Sequence, residues 1–196
     1  MELAAMTQEA SPVPSAAHEE PLVLAMPRRE LFRVPGFTPK VDLVVLDSLS
    51  HESWFAAPSA IRQDIDTKEV RIGLVIRRPG TEKSGDLLIS EDGVAVHCAA
   101  VPPEVERFGG RLPALKTLAR TGGLALIGGG LAQGGIELIG YGQDDSLQEL
   151  RSCFLLIYRL QIAAGQPAPP GYTWVSAVAL RGVALDAVST VVLAGL

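Results

Sequence analysis

From Lys68 to Arg78 the chain alternates apolar and polar side chains. Val70, Ile72, Leu74 and Ile76 fall on one side of an extended backbone, and Glu69, Arg71 and Arg77 on the other. That period predicts a half-buried strand, stopped by Pro79-Gly80. Similar short apolar runs recur along the chain. Arg29–Val34 ends at Pro35-Gly36, and Lys40–Asp47 follows. Asp86–Ser90 and Val94–Val101 flank Asp92-Gly93, which predicts a hairpin. Leu124–Gly128, Ile136–Tyr141, Ser152–Gln161 and Tyr172–Leu185 complete the strand set. Cys153–Leu160 is apolar on both sides apart from Arg159, so a central, covered strand is expected there. Pro102–Ala119 is the main helical segment, interrupted by Gly109-Gly110 and Pro113, and Asp144–Leu150 has the length of one or two helical turns. Eight or nine strands that do not alternate strictly with helices predict an all-β fold. Its form is an eight-stranded jelly-roll β-sandwich with one or two short helices.

Composition sharpens this picture at the N-terminus. Residues 1–27 carry Glu2, Glu9, Glu19 and Glu20, no Lys or Arg, and an Ala/Ser/Pro-rich stretch. They read as a flexible arm with a short strand at Pro21–Ala25, ahead of one domain over 28–196. A chain of 196 residues with 47% hydrophobic content has enough apolar surface for one substantial core. The net charge of −5 argues against strong phosphate binding, which rests on Lys and Arg. No basic region followed by an apolar stretch marks a signal peptide, and the apolar stretch 183–196 is too short to span a bilayer.

Candidate chemistry is sparse. His97-Cys98 is the one His/Cys neighbour pair, but adjacent strand residues point to opposite faces, so the two cannot form a thiolate–imidazolium pair with each other. His18 and His51 lie in expected loops. Cys98 and Cys153 are too few and too far apart for a zinc site or a disulfide framework. Gly128–Gly135 (GGGLAQGG) lacks the Gly-Lys-Ser/Thr ending of a phosphate loop and reads as a strand-to-strand turn. Asp64 with Asp66, and Asp144-Asp145 with Glu149, supply too few oxygens at set spacing for a calcium loop. Arg77-Arg78 near Lys83 is a short solvated strand end. No catalytic residue, cofactor site or metal site emerges, and the expectation is a protein that is not an enzyme and makes contacts with its own copies.

One stretch carries a family resemblance. Gly122-Gly123-Leu124-Ala125-Leu126-Ile127-Gly128-Gly129 places a short apolar run between two Gly-Gly pairs. An apolar strand at Ile136–Tyr141, an acidic-polar turn at Asp144–Leu150, a hydrophobic strand at Cys153–Gln161 and a Pro-rich link at Gln166–Pro170 follow in order. With Cys98–Pro103 and Pro21–Leu31 upstream, this order resembles the coat proteins of tymoviruses and related plant RNA viruses (Tymoviridae). The resemblance implies a self-assembling viral structural protein of a T=3 icosahedral capsid, enclosing positive-strand RNA and located in the virion after assembly in the host cytoplasm. It implies a homo-oligomeric shell of pentamers and hexamers, weak and mostly non-specific contact with genomic RNA, no membrane, and no cofactor beyond polyamines accompanying the RNA. Arg28, Arg29 and Arg33, the first basic residues after the acidic arm, are the expected RNA-facing positions. Glu104, Glu106, Arg107, Arg111 and Lys116, on the charged helical segment, are the expected subunit contacts. Two rival readings remain: a cytosolic β-sandwich that binds a small molecule, and a Cys hydrolase.

Overall fold

The computed structural model describes residues 20–28, 35–40, 42–80, 85–108, 110–129 and 135–196. Its centre is β4 (Thr67–Arg78), the 12-residue strand that the alternation predicts. One edge of β4 pairs along Glu69–Arg77 with β8 (Cys153–Gln161), in parallel. The other edge is shared, antiparallel, by three strands in succession. These are β1 (Val23–Pro27) at the start, β6 (His97–Ala100) in the middle and β5 (Asp86–Ser90) at the end. Beyond β8 lie β7 (Ile136–Gln143) and β2 (Gly36–Pro39), beyond β1 lies β3 (Trp54–Ala56), and β9 (Tyr172–Ser176) pairs with β5.

This sheet is mixed and carries helices on both faces, so the all-β jelly roll is corrected to an α/β architecture. The parallel β4–β8 pair alone is decisive, because parallel neighbours need a long crossover. The crossover includes α3 (Arg111–Leu126). Both faces of β4 are covered, which its alternation does not reveal: Gly73 and Val75, on the side read as solvated, are buried too.

Three local misreadings explain the difference. Lys40–Asp47 is not a strand. Asp42 accepts a hydrogen bond from the Val44 amide (3.0 Å) and caps α1 (Leu43–His51). Val45, Ser48 and Leu49 then share its buried face. Leu124–Gly128 is not a strand: Leu124–Leu126 ends α3, Ile127 is its C-cap and Gly128 follows. Pro113 does not break that helix, because first-turn amides have no intrahelical acceptor in any case. Gly123 sits so close to the sheet that a Cβ there would stand 2.6 Å from Leu160 and 2.7 Å from Leu74. The helix stops where Gly128 takes a positive φ of 73°, with Gly129 N–H donating to Leu124 O and Gly128 N–H to Ala125 O. The glycine pairs are thus one close approach and one helix stop, not strand ends. Finally, the strand read over Tyr172–Leu185 ends at Ser176, and the apolar tail folds into α4 (Ala187–Ala194). The short α2 (Pro58–Gln63) completes the helices of the described residues.

The predicted hairpin does not form as a pair either. Asp92-Gly93 does turn the chain, with Gly93 N–H donating to Ser90 O, but β5 and β6 each pair with β4 and not with each other. Two apolar layers result. On one face, α1 and α3 cover Ile72, Leu74, Leu156, Tyr158 and Leu160. On the other, α4 covers Val75, Val96, Leu155 and Ile157.

Candidate functional site

The α3 face is where the molecule is hollow. A cleft of about 570 Å³ opens between α1, the first half of α3 and the β7–β8 edge. Its walls are Leu46, Leu112 and Pro113, with Ile136, Leu138 and Tyr158 rising from the sheet. Leu138 and Tyr158 are register partners across β7 and β8. They therefore present their side chains to the same side. The polar groups at the cleft are Lys116, Glu137 and the Tyr158 hydroxyl. Glu137 pairs with Arg159 at 2.5 Å. Tyr158 is 2% exposed, and burial pushes its phenol up to about 12. It therefore stays protonated at any physiological pH. Among the described residues nothing hydrogen-bonds its hydroxyl, which makes it a free donor for an occupant.

The expected site residues scatter. Arg28 pairs with Asp145 and donates to Ile65 O (3.1 Å), so it ties the chain to its own loop. Arg29 and Arg33 lie outside the described residues, as do His18, Lys83 and most of the arm. Val23–Pro27, read as the end of that arm, is the strand β1. Glu104 is exposed, and Glu106 and Arg107 lie in the 3-10 turn Pro103–Phe108. Arg111 donates to both oxygens of Ser53 (3.1 and 2.8 Å) and lies 5.5 Å over the Phe55 ring, which is an intramolecular role. Of the named set, only Lys116 lines the cleft.

The other candidates are also placed. His97 sits opposite Leu74 and Cys98 opposite Gly73, so the two side chains leave β6 on opposite faces as expected. Although Cys98 as a residue is exposed, the protein around its thiol desolvates it and pushes it up to about 11; burial raises Cys153 as well. Burial disfavours the thiolate at both, and their sulfurs contact Val96 O and Ser152 Oγ and no histidine among the described residues, so nothing supports the Cys-hydrolase reading. Arg78 pairs with Asp86 at 3.0 Å and lies over Trp174. Lys68 is buried at the start of β4, where it donates to Asp145 (2.8 Å) and Leu150 O (3.4 Å). Burial first, and then the charge of Arg28, push its ammonium down to about 8, against the pull of Cys153 and Asp144.

A divalent cation that assists hydrolysis needs several hard oxygen donors converging on one point. The described residues do not fit one. Among the described residues, no three His, Cys, Asp or Glu side chains come together. α3 carries no acidic residue from Arg111 to Leu126. Asp64 is engaged by Thr67 and the Asp66 amide, and Asp144 by Ser146, so hydrogen bonds hold both carboxyls below their ordinary range.

No protein-family model matches the chain, and no curated protein matches it. A solved structure does: that of Tm1382, described as "a putative Nudix hydrolase". The TM-score is 0.59 with 14% identity over 78% of this chain and 83% of that one. The chain shares that fold. The likeness overturns the coat-protein function together with the capsid, virion and self-assembly properties attached to it. It also overturns the β-sandwich alternative and the expectation that the chain is not an enzyme. The coat-protein and β-sandwich readings require an all-β fold, the non-enzyme expectation came from the absence of a catalytic motif, and the fold found is one in which a protein described as a putative hydrolase is built. Sequence reading missed the cleft because Leu46, Leu112, Ile136 and Tyr158 come from four separate elements. The one local signal was a hydroxyl, Tyr158, inside the run Cys153–Leu160, which is otherwise apolar apart from Arg159.

Proposed function

We propose that this chain takes a small organic molecule into the cleft between α1, α3 and β7. An apolar body would lie against Leu46, Leu112, Ile136 and Leu138, an anionic end would meet Lys116, and Tyr158 would donate a hydrogen bond. The observation that carries the reading is the cleft itself. Its volume lies within the usual range for small-molecule sites, roughly 300–1,000 Å³, and its walls are apolar with a few convergent polar groups. A fluorescent probe of matching chemistry, 8-anilino-1-naphthalenesulfonate, tests it. Saturable enhancement on the folded protein, weakened about tenfold by Lys116→Glu, is expected from loss of one charge contact and gain of a repulsive one. Equal binding by the variant counts against the reading.

A second reading is favoured by the fold: the occupant is a substrate and water cleaves it. In that case Tyr158 is the group suited to donate to a developing oxyanion, since it stays protonated and has no competing partner among the described residues. Release of product from a panel of carboxylate and phosphate esters, with and without added Mg²⁺, measures this. Tyr158→Phe should lower kcat/KM about 100-fold on any ester that turns over. A drop of less than about twofold would remove Tyr158 from the chemistry.

A further inference from the structure

A second hollow lies on the other flank of α3. It measures about 160 Å³ and is lined by Ile72 and Leu74 of β4, the β6 segment His97–Ala99, and Leu118, Ala119, Gly122 and Leu126 of the second half of α3. It shares no lining residue with the cleft above.

Its walls are apolar with one exception, His97. Tyr172 meets the ring edge-on with centroids 5.5 Å apart and planes at 64°. Burial holds the ring's pKa below its ordinary value, so at neutral pH it is an uncharged imidazole with one donor and one acceptor nitrogen. One of these two nitrogens, Nε2, is buried and has no partner among the described residues. A buried ring nitrogen left without a partner is costly, and such atoms are rare in folded proteins. Beside His97 is a space close to that of an engineered apolar cavity known to take benzene, roughly 150 Å³.

We propose that this chamber is a binding site for a small, flat, uncharged ring that carries one hydrogen-bond donor, a phenol-like group, with His97 Nε2 accepting from it. The hydrocarbon of the ring fills the space between Ile72, Leu74 and Leu118. The hydroxyl then satisfies the one polar atom that the fold leaves unanswered there. The group can be a free small molecule or the ring end of a larger one that enters past Gly122, where a Cβ would meet no atom within 4 Å.

Calorimetric titration with phenol and with fluorobenzene, which is nearly isosteric but has no donor, tests this on the intact chain. Phenol is expected to bind at one site per chain, at least about fivefold tighter than fluorobenzene, the factor that one net hydrogen bond supplies. His97→Phe should bring the two affinities together, while Lys116→Glu, in the separate cleft, should leave both unchanged. Absence of phenol binding up to about 10 mM, an affinity too weak for any specific site, would overturn the proposal. So would equal affinities for the two rings in the unaltered protein, a readout that does not depend on any variant folding. Loss of phenol binding in Lys116→Glu would overturn it as well, by moving the ligand to the cleft.

Discussion

On the α4 side of the sheet, Ser189 is fully buried and its Oγ accepts from two backbone amides, Ala95 (2.9 Å) and Val96 (3.0 Å). Asp186 caps the same helix by accepting from the Ser189 amide at 2.8 Å, and Val188 and Val192 close over Leu155 and Ile157. On the α3 side, the longer helix touches the sheet closely at Gly123 and stands away from it on both flanks, leaving a cleft and a chamber. The shorter helix therefore makes the tighter seal. What separates them is side-chain size at the point of contact. α4 presents branched residues and one hydroxyl that fill the layer. α3 buries Leu115 together with three small residues, Ala114, Ala119 and Gly123, and the small ones bring the backbone near at one line and leave room beside it. A face packed the first way stabilises the fold, and a face packed the second way can hold a guest.

The largest effect is expected at the end of the sheet where Lys68 pins the β7–β8 connection. Lys68→Ala removes the donor to Asp145 and Leu150 and empties a buried site. A loss of about 4 kcal/mol in urea unfolding is expected, in line with emptying a buried site and leaving the Leu150 carbonyl without its donor. The same residue sets a pH dependence. Its ammonium titrates near 8 in the fold against 10.5 in a free chain. Between those values the unfolded state holds a proton that the folded state has lost, so this group makes stability rise as pH goes from about 8 to about 10.5. Lys68→Met should flatten that rise, and an unchanged slope would place the titration elsewhere.

Next in size is the closed face. Ser189→Ala leaves the Ala95 and Val96 amides buried without an acceptor, for an expected cost of about 3 kcal/mol. A cost below about 1 kcal/mol would mean that the α4 seal rests on apolar contact alone. The open face should respond in opposite directions at neighbouring positions. Gly123→Val drives a side chain into Leu160 and Leu74 and should cost about 2 kcal/mol. Gly122→Ala meets nothing and gains helix propensity, so it should stabilise by roughly 0.5–1 kcal/mol. Two variants of the same sign would erase the distinction between the line of contact and the hollow beside it. Smallest of all, Tyr158→Phe should change stability by less than about 0.5 kcal/mol, because the hydroxyl lost has no partner among the described residues.

Much of the sheet is legible in the sequence, and the layers around it are not. β5 coincides with the predicted run, and β4, β7 and β8 differ from theirs by one or two residues at an end, because alternation and turn residues mark strands locally. α1 is hidden by Val44 and Val45, whose β-branched side chains favour extended structure, while the capping Asp42 is the signal that outweighs them. The end of α3 is hidden by glycines that also punctuate strands. The parallel pairing of β4 with β8 joins residues 84 positions apart and has no local signature. Once α1 and the end of α3 are read as strands, each strand leads to the next, and a jelly roll follows. The cleft is hidden for the same reason, since its walls meet only when α1 and α3 lie on one face.

Backbone amide shifts recorded while 8-anilino-1-naphthalenesulfonate is added test the contrast between the faces most directly. The account predicts saturable shifts at Leu46, Leu112, Lys116, Glu137, Leu138 and Tyr158, and none along Val188–Val192. Shifts centred on α4, or spread evenly over both faces, would contradict it.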